Sequence, residues 1–406
     1  MRRSLVGFLA CPVCLGDLEL AAAVRATNIC VAEKKQDKAD LQFPDPEVVD
    51  GILVCRSCAR WYPVRDSIPE LYPDHLRDRV RDLELLKCLA PAVGSEFAES
   101  LRSKNADLPD VPDPHVCSEG ESMLRTNERT AGKARDKTAA PDPGASFKLS
   151  EMAIASRIDD PDFFGPGRTA PFNPAEPEYT TRSIRRFGVA LTLLDLQPGA
   201  VVLDIGTGYA WTSEWLSRSG FVPIGLDICR SYLDIGLRRM GAASPHLVAA
   251  DVENLPLKTG CLDAVLAFDA FHHVPDRPAA MRGFFRALKT PGRIVLAEPG
   301  PGHGTEPASV DVMEKYGILE KGMSRRDVAS YCRGIPGASV REHHIFKLAF
   351  GSLPDAARTV SDLILAAASL VPARLRRALL PEKTLARLKK SLRYSDYRFF
   401  VVEKRG

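Results

Sequence analysis

The sequence predicts an α/β protein in which a domain with a largely parallel sheet follows a small cysteine-bearing domain. Three observations lead to this prediction. Strand and helix patterns alternate through residues 179–406, two Cys-x-x-Cys pairs lie within residues 1–75, and a segment without aromatic residues, 102–146, lies between the two regions. The chain has 406 residues, 45% of them hydrophobic, which is enough for two or three domains.

Charge and composition exclude several classes of protein. The net charge of +3 predicts no obligate nucleic-acid partner. The apolar stretch near the amino terminus is at the short limit for a secretory signal, and no run of about 18 apolar residues predicts a membrane span. Because the ten cysteines then belong to a chain without a convincing signal peptide, we expect a reducing, cytoplasmic compartment.

The boundaries of the regions follow from composition and periodicity. Residues 1–75 form the cysteine-bearing domain, 76–101 have helical spacing, and 102–146 are too poor in apolar residues to offset their ordering entropy, which predicts a disordered linker. The large domain is expected over 147–406, with a helical insertion at 353–393. Its predicted strands are Val201–Ile205, 223–227, His246–Ala250, 264–268, 293–298, 338–346 and Tyr397–Lys404.

The two cysteine pairs predict a metal centre. Cys11 and Cys14 form one Cys-x-x-Cys pair, and Cys55 and Cys58 form the other. Two such pairs supply the four thiolates that a tetrahedral structural zinc ion requires, and a closed site of this kind has no catalytic role. Four unliganded cysteines are the alternative; a redox role is less favoured because no βαβ pattern surrounds either pair.

Residues around the second pair carry a family resemblance. The run 51–71, with Cys55, Cys58, Trp61 and a following Tyr-Pro-Val-Arg-Asp-Ser-Ile-Pro-Glu-Leu, resembles a Trm112-type zinc-binding domain. The resemblance covers about residues 1–75 and implies a zinc-ribbon-like fold. In that family the domain is structural or activates a partner methyltransferase, so here it implies a partner domain within the same chain.

A glycine-containing loop in the large domain is typical of nucleotide binding. Asp204 ends an apolar strand, Gly206 and Gly208 follow at once, and a helix begins near Trp211. Glycine permits a sharp turn and a close approach of ligand to backbone. Asp227 ends the next strand, where an acid accepts hydrogen bonds from ribose hydroxyls.

The third glycine of a dinucleotide-binding fingerprint is replaced here by Trp211, which argues against a dehydrogenase. The ordered segments 203–208, 250–257, 262–274 and 288–293 resemble class I methyltransferases, in particular the type 11 family. That resemblance implies a Rossmann-like seven-stranded fold that binds S-adenosylmethionine. The cofactor-binding residues that it implies are Asp204, Gly206, Gly208, Asp227, Ile228, Asp251, Val252 and Asp269.

Candidate catalytic residues follow the fourth and fifth strands, because methyl transfer requires the acceptor to be positioned and its proton removed. Asp269 either lines the methyl site or caps the next turn. His273, and less so its neighbour His272, is a candidate base, although one of the two is expected to be packed structurally. His303 lies on a Gly/Pro loop, either as a base or substrate contact or as plain surface.

Two further segments are open to more than one interpretation. Residues 163–179 are aromatic and proline-rich, and fit either a lid over the cofactor, with Tyr179 and Arg182 as contacts, or a strap on the domain. Residues 373–393 hold eight Lys/Arg and one acid. A basic amphipathic helix of this kind is a solvated face, a cap over the substrate, or a peripheral contact with a membrane or polyanion.

These patterns predict a methyltransferase that acts on a small molecule or a glycan, preferably at oxygen. The segment 269–272 lacks the Asn/Asp-Pro-Pro-aromatic pattern of many enzymes that methylate the amines of nucleic-acid bases. The alternatives are an RNA or protein methyltransferase and a non-catalytic scaffold with the same fold. The expected partners are S-adenosylmethionine, structural zinc and the acceptor; the pattern indicates no oligomeric state.

Overall fold

The computed structural model describes residues 1–25, 48–93, 95–104, 144–154, 169–240, 246–344 and 397–405. Eleven strands form one mixed sheet in the order β1-β2-β3-β4-β7-β6-β5-β8-β9-β11-β10. Their bounds are β1 Leu18–Arg25, β2 Val48–Cys55, β3 Trp61–Arg65, β4 Ile68–Leu71, β5 Val201–Ile205, β6 Val222–Asp227, β7 His246–Ala250, β8 Leu262–Phe268, β9 Leu288–Pro299, β10 Ala338–His344 and β11 Tyr397–Lys404.

The carboxyl-terminal seven strands form the predicted Rossmann-like sheet. Strands β5 to β9 pair in parallel, and β11 inserts antiparallel between β9 and β10. Strands β5, β7 and β8 are almost wholly buried, because helices cover both faces of the sheet. The order reverses at β5, so ligands are expected at the carboxyl ends of β5 and β8, where neighbouring loops diverge.

The described residues also form nine α-helices. They are α1 Arg79–Val93, α2 Ser95–Lys104, α3 Ala145–Ala153, α4 Pro177–Leu194, α5 Trp211–Arg218, α6 Arg230–Met240, α7 Arg277–Ala287, α8 Pro307–Tyr316 and α9 Arg325–Tyr331. The single helix predicted over 76–101 is two helices, the first of which contains Pro91. The amino-terminal domain packs Trp61 and Ile52 against both of these helices.

The two domains share one continuous sheet. Strand β4 of the amino-terminal domain pairs in parallel with β7, with Glu70 opposite Ala249 and Leu71 opposite Ala250. Their hydrophobic cores also merge, since Leu53 and Tyr62 belong to the same buried cluster as Leu226. The backbone ladder therefore fixes the position of the cysteine-bearing domain on the edge of the large domain.

Trp211 stands where a dinucleotide-binding fingerprint has its third glycine. It starts α5, and its ring lies 5.4 Å from that of Phe187 and 5.3 Å from that of Phe268, measured between centroids. A glycine there would remove both of these ring contacts. The indole is thus part of the aromatic packing of this domain.

Several predictions fall on residues that the structure does not describe. They are most of the linker at 102–146, the first part of the aromatic segment at 163–179, and the basic stretch at 373–393 with the whole helical insertion at 353–393. Within the described ranges, no helix combines the length and the apolar character needed to cross a bilayer. The domain boundaries remain a prediction.

Candidate functional site

The glycine loop has the backbone conformation that its sequence indicates. Gly206 and Gly208 have φ angles of 59° and 52°, in the left-handed region that favours glycine. A Cβ atom on Gly206 would lie 2.4 Å from the Cβ of Ala270, whereas a Cβ on Gly208 would meet no atom within 4 Å. The loop therefore packs tightly against the loop after β8 at Gly206 and leaves open space in front of Gly208.

The two acids of the loop region have different positions and hydrogen-bond partners. Asp204 is buried beneath the loop, and its Oδ2 atom accepts hydrogen bonds from the hydroxyls of Thr207, Thr212 and Ser213 at 2.6–2.8 Å. Asp204 therefore ties the loop to the first turn of α5 and does not line the ligand cavity. Asp227 does line it, and accepts hydrogen bonds from the backbone N–H groups of Gly208 and Cys229, both at 2.8 Å.

Burial raises the pKa of Asp227 to about 6, and the nearby charge of Asp204 adds to this, while backbone donors from Cys229 and Gly208 oppose it. Burial also raises the pKa of Asp204, although three hydroxyls donate to its carboxylate. A group that donates hydrogen bonds to Asp227 from the cavity would favour its charged form. Ribose hydroxyls are donors of this kind.

Asp251 follows β7 and already has a cationic partner. Its Oδ2 atom accepts hydrogen bonds from Lys148 Nζ at 2.9 Å and from Asn254 Nδ2 at 2.8 Å, and its Oδ1 accepts from the backbone N–H of Glu253. Lys148 Nζ also contacts the carboxylate of Glu253. The lysine comes from α3, so this helix is held beside Asp251, one of the predicted cofactor-binding residues.

A cavity of about 300 Å³ runs past the carboxyl ends of β5 to β8. This volume is within the range of small-molecule sites in proteins. Its walls are mainly apolar, but titratable groups from five different segments reach it. Those that concern the chemistry are Glu151 from α3, Asp227 after β6, Asp251 and Glu253 after β7, Asp269 and His273 after β8, and Glu320 after α8.

Histidines and glutamates cluster where the loop after β8 meets the loop after α8. His272 Nδ1 lies 2.7 Å from Glu298 Oε2, and its Nε2 lies 3.4 Å from Glu320 Oε2. His303 Nε2 is 2.6 Å from the same Glu320 oxygen. The ring of His273 lies beside that of His272, tilted by 41° with 3.9 Å between centroids, and its Nδ1 lies 2.8 Å from the carbonyl oxygen of Leu319.

The two adjacent histidines have opposite electrostatic environments. Burial alone would lower the pKa of His272, but hydrogen bonds and charges from Glu298 and Glu320 raise it to about 10. Burial and the positive charge of His272 lower the pKa of His273 to about 4. At neutral pH, His272 is therefore an imidazolium held between carboxylates, whereas His273 is a neutral ring beside the cavity.

The structure brings together most of the predicted site residues. Gly206, Gly208, Asp227, Ile228, Asp251, Val252, Asp269 and His273 line the cavity, whereas Asp204 and His303 are not among its lining residues. Sequence reasoning missed Lys148, Glu151 and Glu320. A faint signal existed for the first two, because the apolar residues Leu149 and Met152 interrupt a polar region, but no local pattern distinguished Glu320.

The four cysteines predicted to bind metal converge in the amino-terminal domain. Their sulfur atoms all lie within 4.8 Å of one another, with Cys11 Sγ 3.7 Å from Cys58 Sγ and Cys14 Sγ 3.5 Å from Cys55 Sγ. Thiolates about 2.3 Å from a tetrahedral zinc ion are about 3.8 Å apart, so the geometry fits this ion. The donor set and its spacing therefore match structural zinc.

The two cysteine pairs have the same backbone geometry. In each, the residue after the second cysteine, Leu15 or Ala59, has a left-handed φ near 60° and donates a backbone hydrogen bond to the carbonyl of the first cysteine. Gly16 allows the pairs to approach, because a Cβ there would lie 2.4 Å from Ser57 Oγ and 3.0 Å from Cys55 Sγ. Two matching turns thus present four sulfurs to one point.

Comparison with known proteins agrees with this architecture. Residues 203–296 match the family model described as a methyltransferase domain (Methyltransf_11), and residues 2–67 match the model of Trm112p-like proteins. Methyltransferase GfsG of Streptomyces halstedii is 27% identical over 143 residues, which cover 34% of this chain and 51% of the relative. A demethylmenaquinone methyltransferase of Thermobifida fusca is 32% identical over 108 residues, covering 26% and 46%.

The chain thus spans about half the length of these curated relatives. A solved complex of the Haloferax volcanii Trm112 methyltransferase activator aligns with a TM-score of 0.41 and 17% identity, over 58% of this chain and 95% of that one. The two family matches, the strand order and the cavity at the switch point of the sheet agree with one another. The chain carries a class I S-adenosylmethionine-dependent methyltransferase domain preceded by a Trm112-like zinc-binding domain.

Proposed function

We propose that the protein transfers a methyl group from S-adenosylmethionine to an oxygen atom of a small molecule or a glycan. The observation that supports this most directly is the composition of one cavity. Gly208 and Asp227, which suit a nucleoside, share it with Glu151, His273 and Glu320, which suit an acceptor with a transferable proton. This juxtaposition is what transfer between two bound molecules requires.

The bound cofactor supplies a methyl group that a positively charged sulfur has already activated. The protein holds its ribose through Asp227 and lets its backbone approach at Gly208, where no side chain intervenes. The carboxylates of Asp269 and Glu320, which also reach the cavity, favour a positive charge inside it. Binding and charge therefore select a cationic nucleoside over a neutral one.

His273 is the residue that we assign to the acceptor's proton. Its ring is neutral at physiological pH, and Nδ1–H donates to the carbonyl of Leu319, which leaves Nε2 with a lone pair. The positive charge that forms on the ring is close to the Glu320 carboxylate, 3.8 Å from Nδ1. Burial, with the charges of Asp227 and Glu320, raises the pKa of Glu151 to about 8, so at neutral pH this neighbour is mostly an uncharged acid. Asp269 lies 3.7 Å from Arg186 and is better suited to positioning than to proton transfer.

The relatives favour a small acceptor. The Thermobifida fusca relative is named for demethylmenaquinone, and a Triticum aestivum relative, 24% identical over 152 residues covering 37% of this chain and 30% of its own length, is a phosphoethanolamine N-methyltransferase. A second candidate is an RNA or protein methyltransferase, which the Trm112-like domain favours. It predicts binding to nucleic acid that weakens steeply with salt, or modification of a polypeptide.

The test is calorimetric titration of the full chain with S-adenosylmethionine, followed by incubation with labelled cofactor and a mass-spectrometric screen of acceptors. We expect binding, and a labelled small molecule or glycan with the methyl group on oxygen. His273→Ala should lower turnover by about 10²–10⁴-fold with unchanged cofactor affinity. Absence of cofactor binding by the wild type would exclude an enzyme, and labelling of RNA or protein alone would favour the second candidate.

A further inference from the structure

Glu151 differs from the other acids of the cavity because no group of the protein fixes its charge. Its Oε1 atom is buried and has no hydrogen-bond partner among the described residues, although Glu151 lines the cavity. Burial alone would raise the pKa of the neighbouring Glu320, but hydrogen bonds from His272 and His303 hold it below its ordinary value. Glu320 therefore keeps its charge whatever the cavity holds, whereas the charge of Glu151 can respond to a ligand.

The surroundings of Glu151 favour its uncharged form in the free protein. Burial, with the charges of Asp227 and Glu320, raises the pKa of Glu151 to about 8, and the positive charge of His272 opposes this only in part. His273, whose Nδ1 lies 3.6 Å from Glu151 Oε1, is a neutral ring and brings no charge. At pH 7 most molecules of the free protein therefore carry a proton on Glu151.

The remaining titratable groups near Glu151 do not supply a counter-charge. Cys229, just before α6, and Tyr232, on α6, both interact with Glu151, but burial raises the pKa of the thiol and of the phenol, so both are neutral at pH 7. Lys148, one turn earlier on α3, pairs with the two carboxylates after β7. A cationic ligand in the cavity would therefore provide a charge that the described side chains leave unsupplied.

We propose that Glu151 releases its proton when S-adenosylmethionine binds and keeps it when the demethylated product binds, so that this residue discriminates the charged cofactor from its neutral product. The O–H bond of the carboxyl group breaks, the proton passes to the buffer, and no other bond changes. The proposal rests on the proposed function in one respect, which is that the sulfur lies between the ribose site and the acceptor.

The position of Glu151 supports this function. Asp227 suits the ribose and His273 suits the proton of the acceptor, and the sulfur with its methyl group connects the two. Glu151 is close to both ends, since its Oε1 lies 3.6 Å from His273 Nδ1 and the charge of Asp227 raises its pKa. An opposite charge within about 4–6 Å lowers the pKa of a carboxyl group by about 1–3 units, which is enough to ionise much of Glu151 at pH 7.

Loss of the methyl group reverses the effect on Glu151. The electron pair of the broken sulfur–carbon bond stays on sulfur, so the product is a neutral thioether. A buried carboxylate without a counter-charge is costly, and burial again favours the protonated acid. Glu151 thus attracts the cofactor through an ionic interaction that the product cannot make, and product release leaves no uncompensated charge on this residue.

The test is isothermal titration calorimetry of the full chain with S-adenosylmethionine and, separately, with S-adenosylhomocysteine. Repeating each titration in buffers of different ionisation enthalpy counts the protons released. Release common to both ligands, such as that from Asp227 at its pKa of about 6, cancels in the comparison. At pH 7 we expect about 0.4–0.9 more proton released with the cofactor, for a pKa lowered by about 1–3 units. The ratio of cofactor affinity to product affinity should rise about 5–50-fold from pH 6 to pH 8.

Glu151→Gln imitates the protonated acid, because the amide is uncharged and of similar size, and the change removes no hydrogen bond made by Oε1. This variant should bind the product as the wild type does, which also shows that it is folded. Its extra proton release with the cofactor and the pH dependence of its affinity ratio should both disappear. Glu306→Gln is the matched control, since Glu306 is largely exposed and is not a lining residue of the cavity, and it should retain both effects.

The outcomes separate the function of Glu151 from the proposed function of the protein. Equal proton release by the wild type with the two ligands would overturn the proposal for Glu151 and leave cofactor binding intact. A Glu151→Gln variant that keeps the difference would overturn it as well. Binding of neither ligand would contradict the cofactor site itself, and with it any function of Glu151 toward the cofactor. The wild-type comparison decides the question even if the variant does not fold.

Discussion

Arg230, on the helix that follows β6, donates a 2.8 Å hydrogen bond from its guanidinium to the backbone carbonyl of Arg65 in the zinc-binding domain. The Arg230 side chain is buried, and its Nε lies 3.3 Å from Glu70, which in turn accepts from Arg65. A buried network of charges thus joins the cofactor-binding half of the chain to the amino-terminal domain.

Replacing Arg230 with Met should lower the free energy of unfolding by about 3–5 kcal/mol, because the change leaves buried acids and a buried carbonyl without their partner. Denaturant titration followed by tryptophan fluorescence measures the loss. Arg218→Met is the control, since the pair of Arg218 with Glu214 is exposed and should contribute less than about 1 kcal/mol. Equal losses for the two variants would contradict a structural role for the network.

The raised pKa of Asp227 should make both stability and cofactor binding depend on pH. Its folded-state value of about 6 lies above the ordinary 3.8, so ionisation of Asp227 opposes folding, and its contribution to the free energy of unfolding falls as pH rises from about 4 through 6. Ribose hydroxyls need the ionised carboxylate, so cofactor binding should instead weaken as pH falls below about 6. Calorimetry across this range measures both the affinity and the proton uptake.

Substitution tests the same assignment at constant pH. Asp227→Ala should weaken cofactor binding by about 1–3 kcal/mol, the effect of losing hydrogen bonds to a charged group. In Asp227→Asn the dependence on pH below about 6 should disappear as well. Unchanged affinity in Asp227→Ala would refute the placement of the ribose at this residue.

If the four cysteines bind zinc, the folding of residues 1–75 should depend on the ion. Replacing both Cys55 and Cys58 with Ser should release the ion and unfold residues 1–75, because four thiolates and one ion close this small domain. Metal analysis and hydrogen exchange measure the two effects. Cys88→Ser, an exposed cysteine on α1, should leave both unchanged. A wild type purified without metal under non-chelating conditions would contradict the zinc assignment.

The ion pairs of Lys148 with Asp251 and Glu253 should hold α3 beside the cavity. Lys148→Met removes the only described cation in contact with Asp251 and Glu253, and places an apolar group of similar length between two carboxylates. We expect α3 to detach, with faster hydrogen exchange over Ala145–Ala153 than in the wild type. Arg102→Met, which breaks an exposed pair with Glu99, is the control. Equal protection in Lys148→Met would mean that apolar packing alone holds the helix.

Local signals account for what the sequence could predict. The glycines after Asp204, the acid that ends β6 and the two cysteine pairs each lie within a few residues of the strand or turn that positions them, and the structure places them where local rules indicate. Asp204 shows the limit of that reasoning: an acid before a glycine loop was expected to bind cofactor, yet three nearby hydroxyls direct it beneath the loop.

Long-range contacts account for what could not be predicted. Glu151 meets His273 across more than a hundred residues, and Glu320 meets His272 through a loop whose sequence has no motif. The pairing of β4 with β7 is equally non-local, since either strand alone fits an ordinary sheet edge. Such contacts depend on how whole elements pack, and the spacing of residues along the chain does not report that.

That pairing has a consequence for how the two domains behave in solution. The ladder between Leu71 and Ala250 forms within one chain, so its occupancy is independent of protein concentration, whereas two separate chains joined by the same ladder would dissociate on dilution. Each methyltransferase domain is made with its own Trm112-like domain, in a ratio that expression levels cannot change. The backbone groups of β7 that pair with β4 are also unavailable to a strand from any other protein.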